Sequence, residues 1–289
     1  MIRENVSLVI PAKNEAAGLQ RLLPRLLEHV RAEQIHLVDD GSTDATAQVA
    51  RQHGVRLISH PYSMGNGAAI KSGARHATGE LLLFMDADGQ HDPADIPRLL
   101  EKLDEGYDMV VGARDAHSQA SWGRGLANRL YNRIASYMTG QRVDDLTSGF
   151  RLVRARRFRE FMHLLPNGFS YPTTSTMAFF RAGYPVGYLP IHAAARVGKS
   201  HIRPLHDGLR FLLIIFKVGT LYSPLKLFAP LAIAHFMLGA GYYLFTFLTQ
   251  HRLSNMSVFM FTAAVTIFLI GLVSEQITQL LYQPRERDG

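Results

Sequence analysis

Asp86 and Asp88 flank a single alanine immediately after the apolar run Leu81–Met85, so a buried strand ends by delivering two carboxylates at its exit. Gln90 continues the alternation. The three side chains offer hard oxygen donors of the kind Mg²⁺ or Mn²⁺ takes before completing its shell with phosphate oxygens and water. A second acidic pair, Asp39 and Asp40, follows the run Ile35–Val38 and leads into Gly41-Ser42-Thr43-Asp44. Carboxylates accept from ring N–H groups and ribose hydroxyls, so the two pairs together predict a sugar-nucleotide site. Taken alone, Asp39 would equally cap the turn Asp40-Gly41-Ser42.

The elements that must position these groups alternate regularly. Val6–Ile10, Ile35–Val38, Val55–Ser59, Leu81–Met85 and Met109–Val111 read as strands. Between the first two, Leu19, Leu22, Leu23, Leu26, Leu27 and Val30 recur at helical spacing, with Asn14 as candidate cap and Pro24 as a source of bending. Further helices are expected over Asp44–Gln52, after Gly67, and from Pro93 to Gly106. Strand–helix–strand repeated in this way predicts an α/β fold with a parallel sheet, right-handed crossovers and ligands beyond the carboxyl ends of the strands. Both acidic pairs fall at that edge, and Arg114, just past the fifth strand, can reach it.

Gly65-Asn66-Gly67-Ala68-Ala69-Ile70-Lys71-Ser72-Gly73 is not a phosphate loop, since Ile70 stands where glycine must precede the lysine. Its glycines are expected to let a helix start approach the donor. The order of segments is more telling: Val9-Ile10-Pro11-Ala12-Lys13-Asn14-Glu15, VDDGSTD (38–44), GNGAAIKSG (65–73) and MDADGQH (85–91). This order resembles family 2 glycosyltransferases of the nucleotide-diphospho-sugar, GT-A type fold. DLTSGFR (145–151) and Arg196-Val197-Gly198-Lys199-Ser200 are similar to the branch of polyprenyl-phosphate glycosyltransferases that includes dolichyl-phosphate mannose synthase. The likeness spans about residues 5 to 203.

That resemblance implies nucleotide-sugar contacts at Pro11, Asn14, Glu15, Asp39, Asp40, Gly67, Asp86, Ala87 and Asp88, with Asp39 on the nucleobase and Pro11 and Glu15 at the base and ribose. It implies a metal on Asp86, Asp88 and Gln90. It also implies an acceptor phosphate met by Arg114, Arg129, Asn132, Arg196, Lys199 and Ser200, with Asp88, Arg114 and Arg129 taking part in catalysis. Arginine forks suit phosphate geometry.

The 289 residues are 47% hydrophobic, unevenly spread. Leu225–Thr249 and Met256–Tyr282 each exceed the roughly 20 residues that cross a bilayer core of about 30 Å, predicting a membrane hairpin. Residues 1–203 are then a catalytic domain, 204–223 an amphipathic interfacial helix, 224–283 the hairpin and 284–289 a tail. The net charge of +7 is concentrated near the membrane. Arg196, Lys199, Arg203, Arg210, Lys217 and Lys226 precede the first span and Arg285 and Arg287 follow the second, whereas the connecting turn carries only Arg252. The positive-inside rule puts both ends in the cytoplasm, as in a bacterial inner membrane. No secretory signal opens the sequence, so the catalytic domain is expected to stay in the cytosol. There is no cysteine, no zinc spacing among the 13 histidines and no nucleic-acid motif. Glu275 falls inside the second span, and the sequence leaves a homo-oligomer open.

The expected reaction is inverting transfer of a sugar from a UDP- or GDP-sugar to polyprenyl phosphate, dolichyl or undecaprenyl. A hydroxyl acceptor on a glycolipid or polysaccharide is the alternative. Trp122, the only tryptophan, lies in Ser121-Trp122-Gly123 rather than in the Q-x-x-R-W signature of processive synthases. A noncatalytic membrane adaptor with a decayed transferase domain is a third reading, which the intact Asp39, Asp86, Asp88 and Gln90 oppose.

Overall fold

The structure, a computed structural model, describes residues 3–114, 122–168, 170–192, 216 and 219–282. The chain divides into two compact units, Met1–His201 and Ile202–Gly289.

Among the described residues of the first unit, seven strands form one sheet: β1 Val6–Ala12, β2 Ile35–Asp39, β3 Arg56–Ser59, β4 Leu81–Phe84, β5 Met109–Arg114, β6 Arg151–Arg154 and β7 Val186–Ile191. Their order is β3-β2-β1-β4-β6-β5-β7, and all are parallel except β6, which runs antiparallel to both β4 and β5. The helices are α1 Ala16–Leu27, α2 Thr46–Gln52, α3 Asn66–His76, α4 Ile96–Asp104, α5 Trp122–Thr139, α6 Ala155–Glu160 and α7 Tyr171–Arg181. The five strands read from sequence are present. The antiparallel β6 and the edge strand β7 were not legible, and β7 carries Pro190, a residue tolerated at a sheet edge.

The core follows the leucine periodicity. Leu19, Leu22, Leu23 and Leu26 of α1 are fully buried with Leu8 and Ile10 of β1, and the helix continues through Pro24. Gly73 of α3 lets that helix lie directly on the sheet, since a β-carbon there would meet Val9 Cγ1 at 2.3 Å.

In the second unit, two 27-residue helices, α8 Pro224–Gln250 and α9 Asn255–Leu281, are long and apolar enough to cross a bilayer. Large apolar side chains such as Phe236, Leu248, Phe259 and Leu280 are exposed along them. Apart from Pro224 at the start of α8, their buried positions are small or weakly polar and recur every seventh residue: Ala232, Gly239 and Thr246 on α8, and Ser257, Ala264, Gly271 and Thr278 on α9. That is the period of a left-handed two-helix seam, with small residues allowing close approach. Glu275 Oε2 accepts from Leu225 N at 3.3 Å, giving one free N–H at the start of α8 a partner. Most of the expected interfacial segment, 204–215 and 217–218, lies outside the described residues.

Candidate active site

Beyond the carboxyl ends of β1, β2 and β4 opens a cleft of about 370 Å³ lined by Pro11, Ala12, Lys13, Glu15, Asp40, Ser63, Gly65, Asn66, Ala69, Asp86, Ala87 and Asp88. Parallel register brings the two acidic pairs to one edge, with Ala12 of β1 beside Asp39 of β2 and Val9 beside Phe84 of β4.

Asp40 organises one wall. Its Oδ1 accepts from Met64 N at 2.8 Å and pairs with His60 Nδ1 at 2.8 Å. Its Oδ2 accepts from Gly65 N at 2.9 Å and Ser63 Oγ at 2.8 Å. Burial works to raise the Asp40 pKa, but the bonds from His60, Met64, Gly65 and Ser63 hold it below the usual carboxylate range. His60 Nε2 lies 2.9 Å from Ser72 Oγ, anchoring the 60–65 loop to α3, and Lys13 Nζ donates to Ser63 Oγ at 2.9 Å. Gly41, at φ +67, passes directly beneath Tyr62 and Ser63, where a β-carbon would be 2.7 Å from backbone.

Asp86 and Asp88 form the opposite wall. Burial works to raise the Asp86 pKa, but His91, Arg114 and Arg151 together hold it below the carboxylate range. His91 is buried, stacks on Phe150 at 5.0 Å and brings Nε2 to 3.6 Å from Asp86 Oδ2. Arg114 forks onto Asp145, Nε to Oδ2 at 2.8 Å and Nη2 to Oδ1 at 3.0 Å, and also donates to Thr147 Oγ1 at 2.6 Å. Burial opposes its charge, yet Asp145 raises its pKa above the ordinary arginine value, with Asp86 and Asp88 adding to the field.

Of the residues singled out by sequence, Pro11, Glu15, Asp40, Asp86, Ala87 and Asp88 therefore meet in one cleft. Others are engaged in the fold. Asp39, at the same sheet edge, is buried and its Oδ1 accepts from Ser42 N at 2.9 Å, the turn-capping arrangement. Asn14 does not cap α1: it sits at φ +54 with Oδ1 accepting from Thr43 N at 2.8 Å. The first free N–H groups of that helix go instead to Thr46 Oγ1 and Asp44 Oδ2, from Glu15 N and Ala16 N. Gly67 meets protein rather than the cleft, since Gly67 N and Ala68 N donate to the carbonyls of Gly168 and Asn167. Gly65 and Gly67 thus admit the 166–168 loop, with a β-carbon at Gly67 falling 2.0 Å from Pro166 O.

The backbone N–H of Gln90 donates to Asp88 Oδ1 at 3.2 Å. Gly89, at φ +71, turns the chain, and Gln90 lines a separate hollow of about 290 Å³ with Arg25, His91, Asp92, Arg98 and His192. Asn132 secures the 144–146 loop, donating to Asp144 O at 2.5 Å and accepting from Leu146 N at 3.1 Å, and Arg129 is exposed on α5. Arg196, Lys199 and Ser200 lie outside the described residues. Ala12, Lys13, Ser63, Gly65, Asn66 and Ala69 complete the cleft without having been assigned to it by sequence. For Lys13 the only signal was its place between Pro11 and Glu15.

Two oxygen-bearing side chains, Asp86 and Asp88, stand on one wall. Among the described residues no group of three or more His, Asp and Glu converges as a closed metal cage. Mg²⁺ and Mn²⁺ fit such a set, because Mg²⁺ is usually bound through one or two carboxylates, and substrate phosphates and water supply the rest.

The sheet and cleft are those of a GT-A type α/β fold. Solved structures of the glucosyl-3-phosphoglycerate synthase of Mycobacterium tuberculosis share it. The complex with Mn²⁺ and UDP-glucose superposes with TM-score 0.61 and 20% identity over 74% of this chain and 77% of that one. The complex with phosphoglyceric acid gives TM-score 0.59 and 22% identity over 74% and 78%. The family model for glycosyl transferase family 2 matches residues 7–162, and the chain belongs to that family. A second family model, the GtrB C-terminal hairpin, matches residues 223–280. A curated relative, the undecaprenyl-phosphate 4-deoxy-4-formamido-L-arabinose transferase of Edwardsiella ictaluri, is 36% identical over 170 residues, covering 55% of this chain and 51% of the relative. The chain thus spans about half the length of the curated relative it matches.

Proposed function

We propose that the protein transfers a sugar from a nucleoside-diphosphate sugar to a polyprenyl phosphate, with inversion at the anomeric carbon and with Mg²⁺ or Mn²⁺ on Asp86 and Asp88. One observation carries this reading: a family 2 domain whose cleft presents Asp86 and Asp88 is joined in one chain to a hairpin of the GtrB type. The relative named for undecaprenyl phosphate and the neighbour holding Mn²⁺ and UDP-glucose support it.

A lipid phosphate has its second pKa near about 6 and is mostly dianionic at neutral pH, so its oxygen attacks without a protein base. The new bond joins that oxygen to the anomeric carbon. The bond to the diphosphate breaks, and its electron pair leaves with the nucleoside diphosphate. A bound divalent cation supplies charge neutralisation on that leaving group. Asp86 and Asp88 would hold the cation, Glu15 and Asp40 would stand toward the nucleoside, and Lys13 brings positive charge to the cleft wall. Arg114, fixed by Asp145, contributes its field to the reacting edge, and Arg129 is the exposed cation offered to the incoming phosphate. The hairpin sits in a bacterial inner membrane with the catalytic unit cytoplasmic.

The test uses purified full-length protein in nanodiscs with labelled UDP- and GDP-sugars and polyprenyl phosphate, with and without Mn²⁺. Label should move to the lipid only with the cation, and Asp88→Ala should abolish transfer while the protein still inserts. Label appearing on diacylglycerol instead would transfer the reading to a hydroxyl acceptor, and full activity of Asp88→Ala would reject the cation assignment.

A further inference from the structure

Asp86 rests on a surface made by another part of the chain. Strands β4 and β6 pair antiparallel with Phe84 opposite Arg151. Two residues beyond that pair, Asp86 comes level with Gly149. A β-carbon built at Gly149 would lie 2.6 Å from Asp86 Oδ2 and 3.0 Å from its Cγ. The φ of Gly149 is not in the left-handed region, so space rather than backbone conformation excludes a side chain there.

The backbone around Gly149 is held by residues that do not line the cleft. Tyr171 Oη donates to Gly149 O at 3.0 Å. Arg151 donates to Ser148 O through Nε at 3.2 Å and again through Nη2. Asp145 Oδ1 accepts from Ser148 N at 3.1 Å. Arg151 and Tyr171 are fully buried and neither lines the cleft. Nη1 of Arg151 donates to Pro172 O, Ser175 Oγ and Thr176 Oγ1 of α7, so these partners of a buried guanidinium are neutral oxygens rather than a carboxylate. That arrangement costs desolvation that an apolar residue would avoid. It leaves the positive charge of Arg151 to act on Asp86 and Asp145 at range.

We propose that Gly149 is the seat of the Asp86 carboxylate, and that Arg151 and Tyr171 are positioning residues that fix this seat so that Asp86 meets the cation in a single orientation. The inference rests on the reading of Asp86 as a cation ligand. Groups that orient a metal ligand without touching the metal typically govern affinity strongly.

The experiment titrates Mn²⁺ by electron paramagnetic resonance into full-length protein in detergent, with UDP or GDP present to complete the cation's shell, and measures the thermal midpoint in EDTA. Gly149→Ala and Tyr171→Phe are compared with the wild type. Phe keeps the ring packed against Phe84 and removes only the hydroxyl. Both variants should bind Mn²⁺ roughly 10- to 100-fold more weakly, with the Tyr171→Phe midpoint in EDTA within a few degrees of wild type. Wild-type Mn²⁺ affinity in both variants overturns the inference, as does a loss of affinity that follows a collapsed midpoint in each. Should Gly149→Ala not fold, Tyr171→Phe decides alone. A wild type that binds no Mn²⁺ overturns the cation reading itself, which separates that failure from the failure of the seat.

Discussion

Single residues govern how this protein answers to pH. His36 of β2 is 2% exposed, and burial, followed by the charges of Arg56 and His76, lowers its pKa to about 4. In the unfolded chain a histidine titrates near about 6.5. Between those values the unfolded chain binds a proton that the folded one refuses, so stability is full above the upper value and drains as pH falls toward the lower. The loss reaches on the order of 3 kcal/mol. Thermal midpoints measured from pH 7 to pH 4 should fall accordingly, and His36→Leu should flatten the slope in that range. Asp40, Asp86 and Asp145 act lower, since their depressed values place their contribution above the ordinary carboxylate pKa and remove it only in stronger acid.

At the scale of elements, α3 joins the cleft to the rest of the sheet. Its first turn supplies Asn66 and Ala69 to the wall while Gly67 packs against Pro166. Gly67→Ala should force the helix and the 166–168 loop apart, costing about 1–3 kcal/mol. It should also weaken nucleotide binding, read by a lowered thermal midpoint and by calorimetry with UDP and GDP. The difference between what sequence revealed and what it hid also lies here. Asp86 and Asp88 were legible because a strand of Leu81, Leu82, Leu83 and Phe84 must be buried on both faces, leaving nowhere for the next carboxylates but its end. Ser63 was not legible, because the 60–65 loop reaches the cleft through bonds to Asp40, more than twenty residues away, and Lys13 enters the wall through its bond to that same Ser63. Gln90 shared the spacing of Asp86 and Asp88, but it follows a left-handed glycine, Gly89, and borders another hollow. The strand β6 escaped because it is four residues long with arginine at both ends, and Arg151 finds its partners on α7.

For the molecule as a whole, the hairpin is held by close approach rather than by bulk. A β-carbon at Gly271 would lie 2.6 Å from Phe228 Cβ, so Gly271→Leu should part α8 from α9 and lower the thermal midpoint in detergent. Leu280→Ala, at a position 66% exposed, should change it little. The antiparallel insertion of β6 also sets a timetable for biosynthesis. When β5 leaves the ribosome, β4 still lacks the neighbour that will join it to β5, and the nascent sheet stays open until residues 151–154 emerge. At about 5–20 residues per second, several seconds then pass before Pro224 is translated. The strands of the first unit therefore have time to pair before the two longest apolar helices of the polypeptide are made.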